Sequence, residues 1–357
     1  MVSNTCDLPV LAKVRLLGRH CLNGEMPHVL LTIDAMLDDF SAGRKAHEVY
    51  KRTRSLRCMQ YVAAREPFEE LDPFYRRAQF NRTVEIAAAA GHLAAVQWLV
   101  ESYEPKENLT KTVAAAAANG HLHILQWLFD NHRGIGYWGA TEMCGALLNE
   151  HAGVVEWLRE HAVPRQDSLK KVMEAAAAAG NMEVVGWLFN DCHAKAEDAL
   201  WSAQTSKQWG TARWILENCG LVGPWIDWDL PAKDGALSFL QYLRSRSIGG
   251  PGFYTLQVAA WNGHLEIVEW LHRELRTHRS EGFVFHRNSI IRLPLELMQW
   301  LIAHYVDNLH GCEFEVERCD WRFNDWCRDI KLRMAHQNEL SVWWECSSET
   351  VRPEAQG

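Results

Sequence analysis

The 357-residue sequence lacks paired cysteines, long apolar runs and an excess of basic residues. Its ten cysteines include no Cys-x-x-Cys pair, and disulfide frameworks belong mostly to short secreted chains. No run of 18 apolar residues occurs, which predicts no membrane span, and the first 20 residues make a poor signal peptide. We therefore expect mostly buried, reduced thiols in an intracellular protein, either cytoplasmic or nuclear.

The charge balance and the missing motifs limit the classes of function. A formal charge of -8 argues against nucleic-acid binding, because phosphate backbones favour a basic face. There is no phosphate-binding loop, no Gly-x-Ser-x-Gly elbow and no His-Glu-x-x-His motif. His121 and His123 lie two residues apart, whereas two ligands on one helical face need three or four. The sequence thus predicts a non-enzymatic protein with no cofactor and no metal.

The sequence does contain a residue pattern that repeats at a nearly constant spacing. An aromatic residue followed by Leu or Ile recurs at spacings of 27 to 30 residues. Self-similarity on this scale is the signature of a repeat array. Because apolar residues surround each aromatic at helical spacing, we assign these positions to the structural core. The eight positions are Trp98, Trp127, Trp157, Trp187, Trp214, Tyr242, Trp270 and Trp300.

Each period predicts two helices. Alanine runs precede the aromatic by about eleven residues, and alanine has the highest helix propensity, so a slim first helix is expected there. A glycine seven residues before the aromatic is suited to end that helix with a positive φ. The second helix supplies the bulk, as in Leu122, Leu125 and Leu128. Stacked pairs would share one continuous core.

The strings AANGHLHILQWL and AAWNGHLEIVEWL resemble the centre of ankyrin repeats. The matching turn residues are Gly91, His92, Gly120, His121, Gly180, Gly263 and His264. The resemblance implies an all-α, ankyrin-type solenoid of stacked helix-turn-helix repeats that presents a concave surface to a protein partner of unknown identity. The family's Thr-Pro-Leu-His opening is largely missing and the period is shorter than the usual 33 or so. We therefore expect plain loops in place of β-hairpin fingers.

The repeat pattern also suggests domain boundaries. Residues 1–80 are expected to form a helical cap, and Leu56, Met59 and Tyr61 in it imitate a degenerate repeat. Residues 81–303 hold eight repeats, residues 304–346 a second helical cap and residues 347–357 a disordered tail. Terminal repeats of an array need such caps, because their outer face meets water.

Aromatic residues outside the periodic positions are the candidate partner contacts, since Trp and Tyr are frequent interface anchors. Trp201 and Trp261 stand on first helices where other copies have mostly smaller residues. The others lie in loops: Tyr103, Tyr137, Trp138, Trp225 and Trp228. The competing interpretation is that these rings fold back to seal gaps between irregular repeats, most of all Trp225 and Trp228 beside Pro224 and Pro231.

Three other functions stay open at this stage. The chain could be a substrate-recruiting subunit or recognition module of an enzyme complex. It could be a cryptic hydrolase that gathers distant Cys and His residues. Nucleic-acid binding is the least favoured, given the acidic balance. For the turn histidines we expect hydrogen bonds to loop backbone, because a residue repeated at every turn is better explained by structure than by catalysis.

Overall fold

A computed structural model describes residues 11–21, 26–38, 40–41, 44–65, 72–103, 107–275, 290–293, 295–305 and 313–316. The chain divides into two compact units, Met1–Ala179 and Gly180–Gly357. Helices make up nearly all the regular structure of these residues, so the predicted helical fold class is confirmed. No described helix is long and apolar enough to cross a membrane.

In the first unit, the helices that start each repeat pack side by side. Contacts run from α3 to α5, from α5 to α7, from α7 to α9 and from α9 to α11. Helix α6 continues as a π-helix over Leu99–Tyr103, and a 3-10 turn over Arg133–Ile135 follows α8. The helices are α1 (Ala12–Cys21), α2 (Pro27–Met36), α3 (Ala46–Thr53), α4 (Leu56–Ala63), α5 (Pro73–Ala89), α6 (Leu93–Trp98), α7 (Thr110–Ala118), α8 (Leu122–His132), α9 (Thr141–Leu148), α10 (Ala152–His161) and α11 (Leu169–Ala178).

The second unit continues the alternation of first and second helices. Helix α13 contacts α14 and α15, and α17 contacts α15 and α18. The helices are α12 (Met182–Asn190), α13 (Glu197–Thr205), α14 (Trp209–Asn218), α15 (Asp229–Lys233), α16 (Leu237–Ser245), α17 (Phe253–Trp261), α18 (Leu265–Leu275) and α19 (Leu295–Tyr305).

Two short strands in the second unit were not predicted. Strands β1 (Ile290–Leu293) and β2 (Glu313–Val316) pair in parallel, with Ile290 opposite Glu313. Strand β1 stands where the other copies have the end of their first helix, so the eighth copy keeps only its second helix, α19, among the described residues. Apart from the end of α19 and β2, the predicted C-terminal cap and tail lie outside the described residues.

The turn between the two helices of a repeat adopts a left-handed conformation. The residue seven before the aromatic has a positive φ in seven copies, and two of them use residues other than glycine. The angles are 75° at Gly91, 76° at Gly120, 61° at Glu150, 76° at Gly180, 61° at Lys207, 78° at Gly235 and 81° at Gly263. Arg54, with φ of 53°, joins α3 to α4 in the same way. The division at residue 80 stays a prediction.

The core lies in columns next to the periodic aromatics. In the second repeat, Ala116, Leu125 and Leu128 are fully buried, and the equivalent residues of the other regular copies are buried too. The assignment of the periodic aromatics to the structural core stays a prediction, and among them Tyr242 is buried. The others are half-buried: Trp98, Trp127, Trp157, Trp187, Trp214, Trp270 and Trp300.

Helix geometry explains why the Leu after each Trp is more buried than the Trp itself. Successive residues of a helix point about 100° apart, so the Leu after each Trp faces the neighbouring helices while the Trp sits at the edge of that face. Several of these rings are covered by a histidine one turn later. The ring centroids of Trp157 and His161 lie 4.7 Å apart, and those of Trp300 and His304 4.2 Å apart, both stacked.

Candidate functional site

The turn histidines join consecutive repeats. His121 Nε2 lies 3.0 Å from Ala89 O, and His151 Nε2 lies 3.0 Å from Ala118 O. In the second unit, His264 Nε2 lies 2.8 Å from Lys233 O. Each of these carbonyls belongs to the last residue of the preceding repeat's first helix, where backbone acceptors have no partner within the helix. The ring donates its Nε2–H across the repeat boundary.

The turn glycine makes room for that ring. A Cβ placed on Gly120 would lie 2.8 Å from His151 Nδ1, and one on Gly91 would lie 2.7 Å from His121 Cε1. At Gly91 and Gly120 glycine is therefore favoured for two reasons, the positive φ and the space that the next histidine ring takes. These helix pairs and left-handed turns agree with the ankyrin-type arrangement that the sequence resemblance implies. The Gly-His pair therefore links one repeat to the next, because the acceptor is the last carbonyl of a first helix rather than the loop backbone expected from the sequence.

Comparisons with known proteins add little to this assignment. No protein-family model matches the chain, and no curated protein matches it. Among solved structures, one similar chain is the crystal structure of the human ASB11 ankyrin repeat domain. It is 18% identical, with 58% of this chain and 86% of that chain covered, at a TM-score of 0.33. So low a score carries no argument, and the assignment depends on the helix pairs and their turns.

Two of the candidate partner contacts come together on the surface of the second unit. Trp201, on α13, is 43% exposed, and Trp225, in the loop before α15, is 66% exposed. Their ring centroids lie 5.0 Å apart. Val222, in the same loop, is almost fully exposed. The structure thus presents two adjacent indoles to solvent, which is unusual because each keeps a large apolar surface in water.

A buried glutamine fixes the loop that carries Trp225. Gln204, near the end of α13, occupies a position where the most regular copies have alanine, and it is fully buried. Its Oε1 accepts a hydrogen bond from Asp227 N at 3.1 Å, and its Nε2 donates to Leu200 O at 3.3 Å. A buried side-chain amide needs partners for both ends, so the loop is held to the helix. Sequence reasoning missed Gln204 because a single polar residue in a helix gives no periodic signal.

Tyr103 and Trp228 are buried, whereas their loop positions predicted exposed rings. Tyr103 is only 8% exposed, because the π-helix after α6 turns its ring against Trp98 at 5.6 Å. Trp228 is 5% exposed and donates its Nε1–H to Ile248 O at 3.3 Å. For Trp228, the competing interpretation of a ring that folds back is correct. Neither ring offers a face to another molecule.

Tyr137 and Trp138 are half-buried, and Trp138 lines a cavity in the first unit. Tyr137 Oη lies 3.1 Å from Ser168 Oγ, and its backbone N donates to Thr110 Oγ1 at 3.0 Å. The Trp138 ring contacts Phe129 edge-on at 5.3 Å. The cavity measures about 510 Å³ and opens between the loops that follow α8 and α10.

Trp261 lies near the end of α17 and is half-buried. Its ring meets Tyr254, one of the exposed aromatic residues, edge-on at 6.1 Å. In regular copies this position holds alanine, so the indole adds surface to the first helix. A direct partner contact at Trp261 stays a prediction.

The described residues contain no group of three or more His, Cys, Asp or Glu side chains that could hold a metal ion. Cys58, Cys144, Cys192 and Cys219 are free thiols, of which only Cys219 is buried and the other three half-buried. Burial raises the pKa of Cys144 and of Cys219 to about 11. At neutral pH these two sulfurs are protonated, which is unfavourable for nucleophilic catalysis.

Cys144 and Cys219 are therefore expected to react slowly with iodoacetamide in the native chain at pH 7.5. A rise of about two pKa units lowers the thiolate fraction roughly a hundredfold. The rate at each cysteine is followed by mass spectrometry of tryptic peptides, with the guanidinium-unfolded chain as the reference. Native alkylation of Cys144 as fast as in the unfolded chain would contradict the assignment and reopen the hydrolase hypothesis.

Proposed function

We propose that the chain is a non-catalytic protein-interaction scaffold, and that Trp201 and Trp225 contact its protein partner. The observation that carries this proposal is the exposed indole pair. Trp is the residue type most enriched at the energetic centres of protein interfaces, where it fills a pocket of the partner. In the other repeats, the position of Trp201 holds smaller or charged residues: Glu85, Ala114, Cys144, Glu174, Asp229 and Gln257. Packing of the repeat does not require an indole there.

The mechanism is presentation of a preformed surface. Trp201 is carried by a helix of the repeat core, and Trp225 by a loop that Gln204 holds through Asp227. Little backbone ordering is needed when a partner binds, so less of the interaction energy is lost to conformational entropy. The indoles supply the buried area, and affinity follows from how well the partner covers both rings.

The proposal predicts that Trp201→Ala combined with Trp225→Ala weakens partner binding by about 10- to 100-fold, because truncation of a hot-spot Trp costs about 2 kcal/mol or more. The exposed rings contribute little to folding, so the melting temperature should hardly change. The intact chain and the double variant are used to purify partners from the cells of origin. The partner identified is then produced recombinantly and its Kd measured by calorimetry.

A matched control is Phe74→Ala, which removes another strongly exposed aromatic ring, in the first unit. This control is expected to bind the partner like the parent. If the double variant binds as tightly as the parent at equal melting temperature, the indole pair is not the contact. The identity of the partner also decides between a general scaffold and the recruiting subunit of an enzyme complex.

A further inference from the structure

The cavity of the first unit differs in charge from the chain as a whole. Its lining includes Arg133, His161 and Arg165, which are all exposed. No carboxylate lines it, although the chain carries a formal charge of -8. The nearest acidic group in sequence, Glu160, lies 4.0 Å from His161 Nδ1. A cationic cavity on an acidic chain indicates a specific anionic ligand rather than general attraction.

Aromatic rings hold both guanidinium groups in place. Arg133 Cζ lies 4.3 Å from the centre of the Phe129 ring, and Arg165 Cζ lies 4.9 Å from that of Tyr137. Contact with a ring occupies the face of a guanidinium and leaves its N–H edge free to bind a carboxylate. Among the described residues, neither arginine forms an ion pair. Two arginines held by aromatic rings therefore border the cavity, with no carboxylate partner in the part of the chain that the structure describes.

The remaining walls of the cavity are apolar. Trp138 and Val163 line it, and the Val163 side chain is 55% exposed. His161 donates Nδ1–H to Trp157 O at 2.9 Å, so its Nε2 is the ring nitrogen left for a ligand. The combination of two cationic groups with apolar walls suits an acidic side chain next to an apolar one. A nucleic acid would instead need basic groups along an extended path.

We infer that this cavity binds an acidic segment of a protein partner, with an Asp or Glu carboxylate between Arg133 and Arg165 and an adjacent apolar side chain against Trp138 and Val163. The inference rests on the proposed function, because it takes the ligand to be a protein segment. It adds a second contact, of different chemistry, to the indole pair. Carboxylate recognition by two guanidinium groups gives charge-assisted hydrogen bonds, which are stronger than neutral ones.

The test uses the full chain and a phage-displayed library of random 12-residue peptides. Selections are run in parallel on the parent and on the variant Arg133→Gln with Arg165→Gln. A charge-matched control, Arg52→Gln with Lys195→Gln, removes two exposed positive charges outside the cavity. The strongest peptide is then titrated by fluorescence anisotropy, together with versions in which each acidic residue is replaced by its amide or by phosphoserine. A single-stranded oligonucleotide serves as a further probe.

The inference predicts enrichment of Asp or Glu beside an apolar residue on the parent and on the control, but not on the cavity variant. The parent chain should bind the amide peptide at least tenfold more weakly than the acidic peptide. The cavity variant should bind the acidic peptide at least tenfold more weakly than the parent does. Peptides without acidic enrichment, or equal binding to parent and cavity variant, would overturn it. So would phosphoserine or oligonucleotide binding that exceeds acidic-peptide binding by tenfold. A chain that selects no peptide but still binds its partner through Trp201 and Trp225 would contradict this inference alone.

Discussion

The Leu128→Ala variant is expected to unfold with a free energy about 3 kcal/mol below that of the parent. Leu128 is almost fully enclosed in α8, and truncation of such a side chain leaves a cavity in addition to the lost apolar contact. Trp127→Ala should lower the free energy of unfolding by less, about 1.5 kcal/mol, because its side chain is only partly buried. Urea titrations followed by far-UV circular dichroism, compared at equal m-values, measure both changes.

The relative stability losses of Trp127→Ala and Leu128→Ala show which of the two neighbours lies in the core. A fully buried Trp in the core would cost roughly 3 to 5 kcal/mol when truncated to Ala. The structure assigns the larger cost to the Leu that follows it. A Trp127→Ala variant that loses more stability than Leu128→Ala would show that the core columns are misplaced by one residue.

The Gly120→Ala variant is expected to lose about 2 kcal/mol of stability. Gly120 has a φ of 76°, which disfavours any residue with a Cβ, and the new methyl group would also meet the His151 ring at 2.8 Å. Gly153→Ala is the matched control, since Gly153 lies inside α10 with open space around it. That control should gain up to about 1 kcal/mol from the higher helix propensity of alanine. Thermal and urea unfolding measure both.

His151→Ala completes a double-mutant cycle with Gly120→Ala. Alone, it should cost about 1 kcal/mol through the lost hydrogen bond to Ala118 O. In the double variant the methyl group no longer meets a ring, so the two costs should be less than additive. Strict additivity would mean that backbone strain alone explains the stability cost of Gly120→Ala. The His151 ring and the Gly120 turn would then not interact across the repeat boundary.

The local features of the fold could be predicted from the sequence. Alanine runs, a turn glycine and apolar residues at helical spacing act over a few residues, so they predicted the helix pairs and their turns. Glu150 and Lys207 show that the left-handed turn persists where glycine is absent, because the flanking helices impose it. Prediction from local signals succeeds where the backbone preference and the packing agree.

Features that depend on a neighbouring repeat or a distant loop could not be predicted. The burial of Trp228 depends on Ile248, twenty residues away, and the exposure of Trp225 depends on a loop held by Gln204. The pairing of β1 with β2 likewise joins residues far apart in sequence. Trp201 and Trp225 were each candidates from the sequence, but their contact appeared only in the structure. Sequence spacing carries no information on which loop covers which ring.

Photo-crosslinking in the cells of origin tests directly whether the indole pair of Trp201 and Trp225 contacts a protein partner. A photoreactive phenylalanine analogue replaces Trp225 in one chain and Phe74 in another, and crosslinked proteins are identified by mass spectrometry. If Trp225 contacts the partner, one dominant protein should be crosslinked from position 225 and not from position 74, at equal expression and melting temperature. The absence of any protein specific to position 225 would contradict the claim that the indole pair contacts a protein partner.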